Sequence, residues 1–260
     1  MEAVILSAGQ GKRLLPHTRT LPKCLLPIGA DGRTVLDMQI ETLVAAGVSG
    51  PITVMVGFGA EHVERHVREA LRVDCDVRLV FNPLHGHSDN LVTAWFATQQ
   101  VDGDFVLLNG DTIFEPAVVH RALGVPDAAV VAAVNRKDAY DSDDMCIWTE
   151  DTRIVGVGKE RRERDPDGEA IGLYTARGRG VDVLRRVFER AVAAPDGLRS
   201  WYPPVLGTLA GDDRVTVADI SGLWWTEIDV AEDLDKARIE VGSRFPNLPN
   251  EAPRAEPAEA

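Results

Sequence analysis

The feature that most constrains the fold is the regular alternation of short apolar, β-rich runs with longer amphipathic runs. The apolar runs of the first half are predicted strands over Ala3–Ser7, Ile52–Val56, Val77–Phe81 and Phe105–Leu108. The amphipathic runs between them are predicted helices over Val35–Ala46, Glu61–Leu71 and Asn90–Thr98. Strands that are apolar along their whole length are typical of parallel sheets covered on both faces. The order therefore predicts an α/β fold with a mostly parallel central sheet between layers of helices.

The second half is less regular but continues with both kinds of element. Its predicted strands are Ala129–Val134, Met145–Thr149, Ile154–Val157, Ala170–Thr175 and Arg214–Ala218. Its predicted helices are Val181–Ala194, a short one near Pro204–Ala210 and a last one over Ala231–Val241. From Gly242 the composition changes, since the final 19 residues contain four of the 15 prolines. We therefore expect one domain over residues 1–241 and a flexible, proline-rich tail over residues 242–260.

Charge and cysteine content limit the partners and the compartment. The chain has 260 residues and a formal net charge of −13, so its surface repels nucleic acid and anionic membranes, and we expect neither as a partner. No apolar run approaches the ~20 residues that span a bilayer, and the amino-terminal segment lacks the basic start of a signal peptide. The three cysteines, Cys24, Cys75 and Cys146, are odd in number and far apart, which excludes a disulfide framework and a zinc knuckle. The cytoplasm is the expected location, and the expected assembly is a monomer or a homodimer.

The segment from Leu6 to Ile28 follows the first predicted strand and contains Gly9 and Gly11. Glycines at these positions allow a tight turn whose backbone N–H groups can approach phosphate oxygens closely. Four basic side chains lie within 12 residues of an otherwise acidic chain, namely Lys12, Arg13, Arg19 and Lys23. This local positive charge favours a triphosphate site.

The spacing of this segment excludes two other phosphate-binding loops. A dinucleotide fingerprint needs glycine or alanine at Leu14, and a P-loop needs glycine at Leu6 and serine or threonine at Arg13. A glycine turn with solvated basic side chains would explain a bare G-x-G. It does not explain the uninterrupted pattern G-x-G-x-R-L-x-P-x-T-x-x-x-P-K-x-L-L-P-I.

With this pattern the chain resembles the sugar-phosphate nucleotidylyltransferase-like family, whose enzymes join a nucleoside triphosphate to a phosphate monoester and release pyrophosphate. The resemblance implies a Rossmann-like three-layer α/β sandwich with a mostly parallel, mixed central sheet. It implies two catalytic residues, with Arg13 neutralising the leaving pyrophosphate and Lys23 contacting the reacting phosphates. The nucleotide-binding residues that it implies in this loop are Leu6, Ala8, Gly9, Gln10, Gly11, Lys12 and Arg13.

Two carboxylates are candidate ligands of a metal. Asp111 follows a buried predicted strand, at the edge where open α/β sheets bind ligands, although a turn residue would also fit there. The resemblance implies that Asp111 contacts the nucleotide and, with Asp229, holds Mg²⁺ between the carboxylates and the triphosphate. Strand alternation places Glu227 on the same face as Asp229, so Glu227 is the substitute ligand. Asp229 could also cap the last helix, with Glu232 completing a capping box.

Over most of residues 1–241 the resemblance is closest to the phosphocholine and phosphonate cytidylyltransferase branch. The matching elements include Gly110-Asp111-Thr112, Asp143-Asp144-Met145, Val157-Gly158-Lys159, Glu169-x-Ile171-Gly172 and Glu227-Ile228-Asp229. In that branch an element of the form N-P…S-x-N-L lies beside the nucleotide, which here implies Asn82, Ser88 and Asn90. Lys159 would touch the acceptor's phosphate, and Glu169 would lie across the pocket.

The far end of the acceptor is the least constrained part of the site. An acidic run and four aromatic residues are available to it: Asp138, Asp141, Asp143, Asp144, Trp201, Tyr202, Trp224 and Trp225. Carboxylates and aromatic rings together suit an ammonium group, so Asp144, Trp201 and Trp225 are candidate substrate-binding residues. A solvated acidic surface and tryptophans buried in the core are the alternative.

The function expected from these features is a magnesium-dependent cytidylyltransferase. It would transfer CMP from CTP to a small phosphomonoester or phosphonate and release pyrophosphate. A sugar-1-phosphate uridylyltransferase or thymidylyltransferase is the alternative among enzymes. A regulatory module that binds a nucleotide without turnover is the alternative from another class, but such a module has no need of Arg13, Lys23, Asp111 and Asp229 together.

Overall fold

The computed structural model describes residues 1–159 and 164–245. Its strands are β1 (Glu2–Ser7), β2 (Ile52–Val56), β3 (Val77–Phe81), β4 (Phe105–Asn109), β5 (Thr112–Phe114), β6 (Val130–Asn135), β7 (Cys146–Glu150), β8 (Arg153–Gly158), β9 (Gly168–Ala176), β10 (Thr216–Asp219) and β11 (Trp225–Glu227). Its helices are α1 (Val35–Ala45), α2 (Ala60–Glu69), α3 (Asn90–Thr98), α4 (Pro116–Leu123), α5 (Arg179–Val192), α6 (Tyr202–Leu206) and α7 (Ala231–Arg244). No helix among these is both long and apolar enough to cross a bilayer.

Within the described ranges, nine strands form one sheet in the order β3-β2-β1-β4-β9-β6-β10-β8-β7. Neighbouring strands from β3 to β4 are parallel, as are β6 and β10. The strand β9 runs antiparallel to β4 and β6, and β8 runs antiparallel to β10 and β7. The prediction of a mostly parallel but mixed sheet is confirmed.

Both faces of the sheet are covered by helices, which confirms the three-layer sandwich. On one face α1, α2 and α4 bury the side chains Leu36, Ile40, Leu43, Val63, Val118 and Val119. On the other face α3, α5 and α6 bury the side chains Leu91, Ala94, Leu184, Phe188, Tyr202 and Leu206. Strand residues point alternately to these two cores, since Ile5 belongs to the first and Val4 to the second.

A few elements differ from the sequence-based expectation. Strand β5 has three residues and α4 begins with Pro116, and neither is strongly patterned enough to be predicted. Helix α6 begins at Tyr202 because Pro203 and Pro204 fit the first turn of a helix, where no N–H donor is required. Helix α7 continues past Val241 to Arg244, and residues 246–260 of the predicted tail lie outside the described residues.

A small ribbon of two antiparallel strands, β5 and β11, brings distant parts of the chain to one edge of the sheet. Glu227 lies opposite Thr112, and the backbone N–H of Ile228 donates to the carbonyl of Asp111 at 3.0 Å. A third apolar cluster supports this ribbon beneath α7, and it includes Leu14, Ile113, Trp224, Ile228, Leu234 and Val241. The ribbon therefore fixes the segment that follows Glu227 beside the end of β4.

Candidate active site

A cleft of about 940 Å³ opens beyond the carboxyl ends of β1, β3 and β4. This is the edge at which open α/β sheets bind ligands. The predicted nucleotide-binding residues that line it are Leu6, Gly9, Gln10, Gly11, Lys12, Arg13, Ser88, Asn90 and Asp111. The structure thus brings the glycine loop after β1, the loop after β3 and the end of β4 to one cavity.

The glycine loop is held in a defined turn by its neighbours. Gly11 has a φ of 74°, and a Cβ added there would lie 3.0 Å from the Cβ of Lys23. The side chain of Gln10 donates to the carbonyl of Thr18, whose hydroxyl donates to the carbonyl of Gly11 at 2.7 Å. A Cβ on Gly9 would meet no atom within 4 Å, so the backbone there is open to the cleft.

Two predicted nucleotide-binding residues lie behind the cleft wall. Ala8 is buried, and its carbonyl accepts the N–H of Phe58 at 3.0 Å. Asn82 is fully buried, donating to the Thr93 hydroxyl at 2.9 Å and accepting the N–H of Leu84 at 2.8 Å. The Ala8 contact holds the glycine loop against the segment after β2, and the Asn82 side chain ties the loop after β3 to α3.

Three carboxylates meet at one end of the cleft, and two of them, Asp111 and Asp229, line it. One oxygen from each of Asp111, Glu227 and Asp229 lies within 4.8 Å of the others. Asp111 follows Gly110, where a Cβ would lie 2.4 Å from the Ser7 hydroxyl, so only glycine permits this close approach of the two strand ends. Glu227 ends β11 and Asp229 precedes α7, so the ribbon positions both of them. The sequence predicted Asp111 and Asp229 as ligands with Glu227 as a substitute, and the structure places all three together.

Two cations are paired with these carboxylates. The Nζ atom of Lys23 lies 3.0 Å from Oδ2 of Asp111 and 2.8 Å from Oδ1 of Asp229. The Nη2 atom of Arg13 lies 2.7 Å from Oδ2 of Asp229. Burial acts to raise the pKa of Asp229, but the charges of Lys23 and Arg13 outweigh it and lower that pKa. Asp229 is therefore ionised at neutral pH.

Negative charge is in excess around Glu227. Burial, followed by the charges of Asp111 and Asp229, raises the pKa of Glu227 to about 8. Among the described residues, Oδ1 of Asp111 is buried without a hydrogen-bond partner. The unpartnered oxygen of Asp111 could bind a divalent cation, for which carboxylate oxygens are the preferred ligands. The excess negative charge that raises the pKa of Glu227 would be neutralised by the same cation. The three carboxylates thus have the composition of a magnesium site.

The raised pKa of Glu227 predicts a pH dependence of stability in the presence of a chelator. Between about pH 4.5, its ordinary pKa, and about pH 8, the folded state keeps a proton that the unfolded state has lost, so stability falls as pH rises. Glu227→Gln removes this loss of stability, and we expect the variant to gain roughly 3 kcal/mol, or about 6–12 °C in Tm, relative to wild type on going from pH 5.5 to pH 8.5. Thermal unfolding of both proteins across that range measures the difference. Parallel curves for the two proteins would contradict the shifted pKa.

A smaller pocket of about 200 Å³ adjoins the cleft, and Arg13, Asp111 and Asp229 line both cavities. The predicted acceptor residues Lys159 and Trp201 lie in its wall. The Nζ atom of Lys159 is 3.3 Å from a carboxylate oxygen of Asp143 and 5.3 Å from the centroid of the Trp201 ring. This pocket can therefore present a cation and an exposed indole to an acceptor.

The other predicted acceptor residues lie outside this pocket. Asp144 and Glu169 are buried and share the ammonium of Lys137, at 2.8 and 2.9 Å. Burial, in spite of Lys137, raises the pKa of Glu169 to about 7. Trp225 packs against the core on the α1 side of the sheet. Of the acidic run, Asp143 lines the pocket, whereas Asp138 and Asp141 are exposed outside its lining.

Sequence reasoning missed several residues of the two cavities. His85, His87, Leu198 and Arg199 line the cleft, and the pattern of the sequence carries no signal that identifies them. Asn109 lines the pocket and accepts the hydroxyl of Tyr202 at 2.7 Å. Its place directly before Gly110-Asp111 is the one signal that could have indicated it.

Comparison with known proteins agrees with this geometry. Residues 2–137 match the family model described as Nucleotidyl transferase. The CMP-5'-(3-aminopropyl)phosphonate synthase of Streptomyces rubellomurinus is 30% identical over 254 residues, which cover 91% of this chain and 38% of that protein. The chain spans half or less of the length of this and two further curated relatives.

Two solved structures share the fold. The inositol-1-phosphate CTP transferase from T. maritima has a TM-score of 0.75 at 21% identity, with coverage of 94% of this chain and 96% of that chain. The CTP:phosphocholine cytidylyltransferase from Streptococcus pneumoniae (LicC) has a TM-score of 0.71 at 18% identity, with coverage of 92% and 98%. The family match extends over more than half of the chain and includes both the glycine loop and Asp111. The chain therefore belongs to the nucleotidyl transferase family.

Proposed function

We propose that this protein is a magnesium-dependent cytidylyltransferase that transfers CMP from CTP to a small phosphomonoester or phosphonate and releases pyrophosphate. The observation that carries the proposal is the position of Asp111, Asp229 and Arg13, which line both the cleft and the adjoining pocket. A nucleotide in the cleft would place its α-phosphate at this junction, within reach of an acceptor in the pocket. Relatives named for CMP-phosphonate synthesis and CTP transfer support cytidine as the base.

The chain's own side chains supply positioning and charge neutralisation. The open backbone at Gly9 and the cations Lys12 and Arg13 face the space where a triphosphate would lie. Lys159 would hold the acceptor's anionic oxygen for in-line attack on the α-phosphorus, and Arg13 and Lys23 would stabilise the charge on the departing pyrophosphate. An acceptor that is already an anion requires little general-base help. Bound Mg²⁺ would neutralise phosphate charge beside Asp111, Glu227 and Asp229.

We expect acceptors that carry a cationic amine to be preferred over neutral polyol phosphates. Trp201 is 44% exposed and lines the pocket with Asp143, and Lys159 lies against both of them. When Lys159 turns to the acceptor's phosphate, the freed indole face and carboxylate favour an ammonium by about 1–2 kcal/mol, or about tenfold in specificity. The measurement is pyrophosphate release with CTP, UTP, dTTP, ATP and GTP, each against phosphocholine, 2-aminoethylphosphonate, an inositol phosphate and a hexose 1-phosphate. Trp201→Leu should reduce the amine preference.

The same panel separates the alternatives. Preference for UTP or dTTP with a hexose 1-phosphate would assign the sugar-1-phosphate branch. Nucleotide binding without pyrophosphate release from any pair would assign a regulatory module. Clear preference for an uncharged polyol would overturn the amine site while leaving cytidylyl transfer in place.

Three further predictions accompany this function. The three free thiols fit a cytoplasmic location. A catalytic domain followed by a flexible tail stays a prediction, although α7 includes residues 242–244 of the tail predicted over 242–260, and a homodimer also stays a prediction. Size-exclusion chromatography with light scattering would measure the assembly state.

A further inference from the structure

The two side chains that would hold phosphates are paired with the side chains that would hold the metal. Lys23 bridges Asp111 and Asp229, with Nζ–O distances of 3.0 and 2.8 Å. The Nη2 atom of Arg13 donates a hydrogen bond to the second oxygen of Asp229 at 2.7 Å. Both oxygens of Asp229 therefore accept hydrogen bonds from a cation of the protein itself.

The two Lys23 pairs are largely shielded from water, which therefore screens their charges less than those of the Arg13 pair. The side chain of Lys23 is 13% exposed, against 53% for Arg13. The ammonium of Lys23 lies between two carboxylates at hydrogen-bonding distance, so its two contacts are stronger than those of an exposed ion pair.

A divalent cation and the ammonium of Lys23 would need the same oxygens. Two cations on one pair of carboxylates repel each other in a site of low dielectric. If Lys23 moves to phosphate oxygens, the metal can take Asp111 and Asp229, and every charge keeps a partner. If only the metal or only the triphosphate binds, a buried charge is left without a partner, which is costly.

We propose that Lys23 is an internal counter-ion that competes with the divalent cation for Asp111 and Asp229, so that metal and triphosphate bind cooperatively. This inference rests on the metal site of the proposed function. Reciprocity then requires that the nucleotide strengthens metal binding by the same factor by which the metal strengthens nucleotide binding. Arg13, whose side chain is more exposed, is a second cation that the metal would replace at Asp229.

The test is Mn²⁺ binding to the nucleotide-free protein, measured by electron paramagnetic resonance. Lys23→Met keeps the length of the side chain without its charge, and Lys12→Met makes the same change at another lysine of the cleft. We expect Lys23→Met to bind Mn²⁺ about tenfold more tightly than wild type, or more, and Lys12→Met to stay within about twofold of it. A non-hydrolysable CTP analogue should strengthen Mn²⁺ binding more in wild type than in Lys23→Met, after correction for manganese held by the free analogue.

Several outcomes would overturn the inference. Equal Mn²⁺ affinity in wild type and Lys23→Met would show that Lys23 does not compete. An equal gain in Lys12→Met would assign the effect to general electrostatics of the cleft. Absence of Mn²⁺ binding in every protein would contradict the metal site as well, whereas a lack of CTP turnover with the expected manganese result would contradict only the proposed function. Lys23→Gln provides a second variant if Lys23→Met does not give a cooperative thermal transition.

Discussion

Replacing Asp111 with asparagine is expected to lower turnover about a thousandfold or more and to leave the fold intact. The substitution removes one of three carboxylates whose oxygens converge within 4.8 Å, and it keeps the size of the side chain. A loss of about 4 kcal/mol in transition-state stabilisation is comparable to the removal of a preorganised charge contact in a water-poor site. The ribbon should survive, because it uses the backbone carbonyl of Asp111, which accepts from Ile228 at 3.0 Å.

The measurement is steady-state pyrophosphate release across a range of Mg²⁺ concentrations, together with thermal unfolding. Asp89→Asn is the matched control, because Asp89 lines the same cleft, changes charge in the same way and lies apart from the three carboxylates. Near-native turnover by a properly folded Asp111→Asn protein would contradict the assignment of Asp111 as a metal ligand.

The parts of the fold that depend on local pattern were predictable. Strands β2 and β3 and helix α3 have the predicted bounds, since each is a strongly patterned run, whether it packs in the core like β2 and α3 or lies at the sheet edge like β3. The glycine loop follows from residue types alone, because its turn requires glycine at Gly11 and its charge comes from neighbouring residues. The position of Asp111 just beyond a strand that is apolar on both faces was predictable from the sequence, and its role as a metal ligand was implied by the family resemblance.

The rest of the site depends on contacts between distant segments. Strands β5 and β11 have three residues each, too short for a periodic signal, yet their pairing brings Glu227 and Asp229 to Asp111. The acidic run indicated charge but not its partners, so the burial of Asp144 against Lys137 was not foreseeable. Trp224, directly before β11, is buried in the cluster beneath α7, whereas Trp225, the first residue of β11, packs against the core on the α1 side, and no local pattern indicated this difference.

The catalytic rate should depend strongly on Lys23. We expect Lys23→Ala to reduce kcat by two to three orders of magnitude, since loss of a cation contact in a site shielded from water costs about 3–4 kcal/mol. The side chain is 13% exposed and spans Asp111 and Asp229, so no other described ammonium is placed to replace it. The competition proposed for Lys23 predicts that metal affinity does not fall in this variant, and excess Mg²⁺ should therefore fail to restore the rate.

Measuring kcat and KM separately for CTP and for the acceptor tests this role. A transition-state contact lowers kcat and kcat/KM together, whereas a contact made equally with bound substrate changes only KM. Lys12→Ala is the control, because Lys12 lines the cleft and is exposed, so its loss should act mainly on KM for CTP. An effect of Lys23→Ala confined to KM would mean that Lys23 binds the nucleotide without stabilising the transition state. Recovery of kcat at high Mg²⁺ would instead mean that the lysine acts only by holding Asp111 and Asp229 in place.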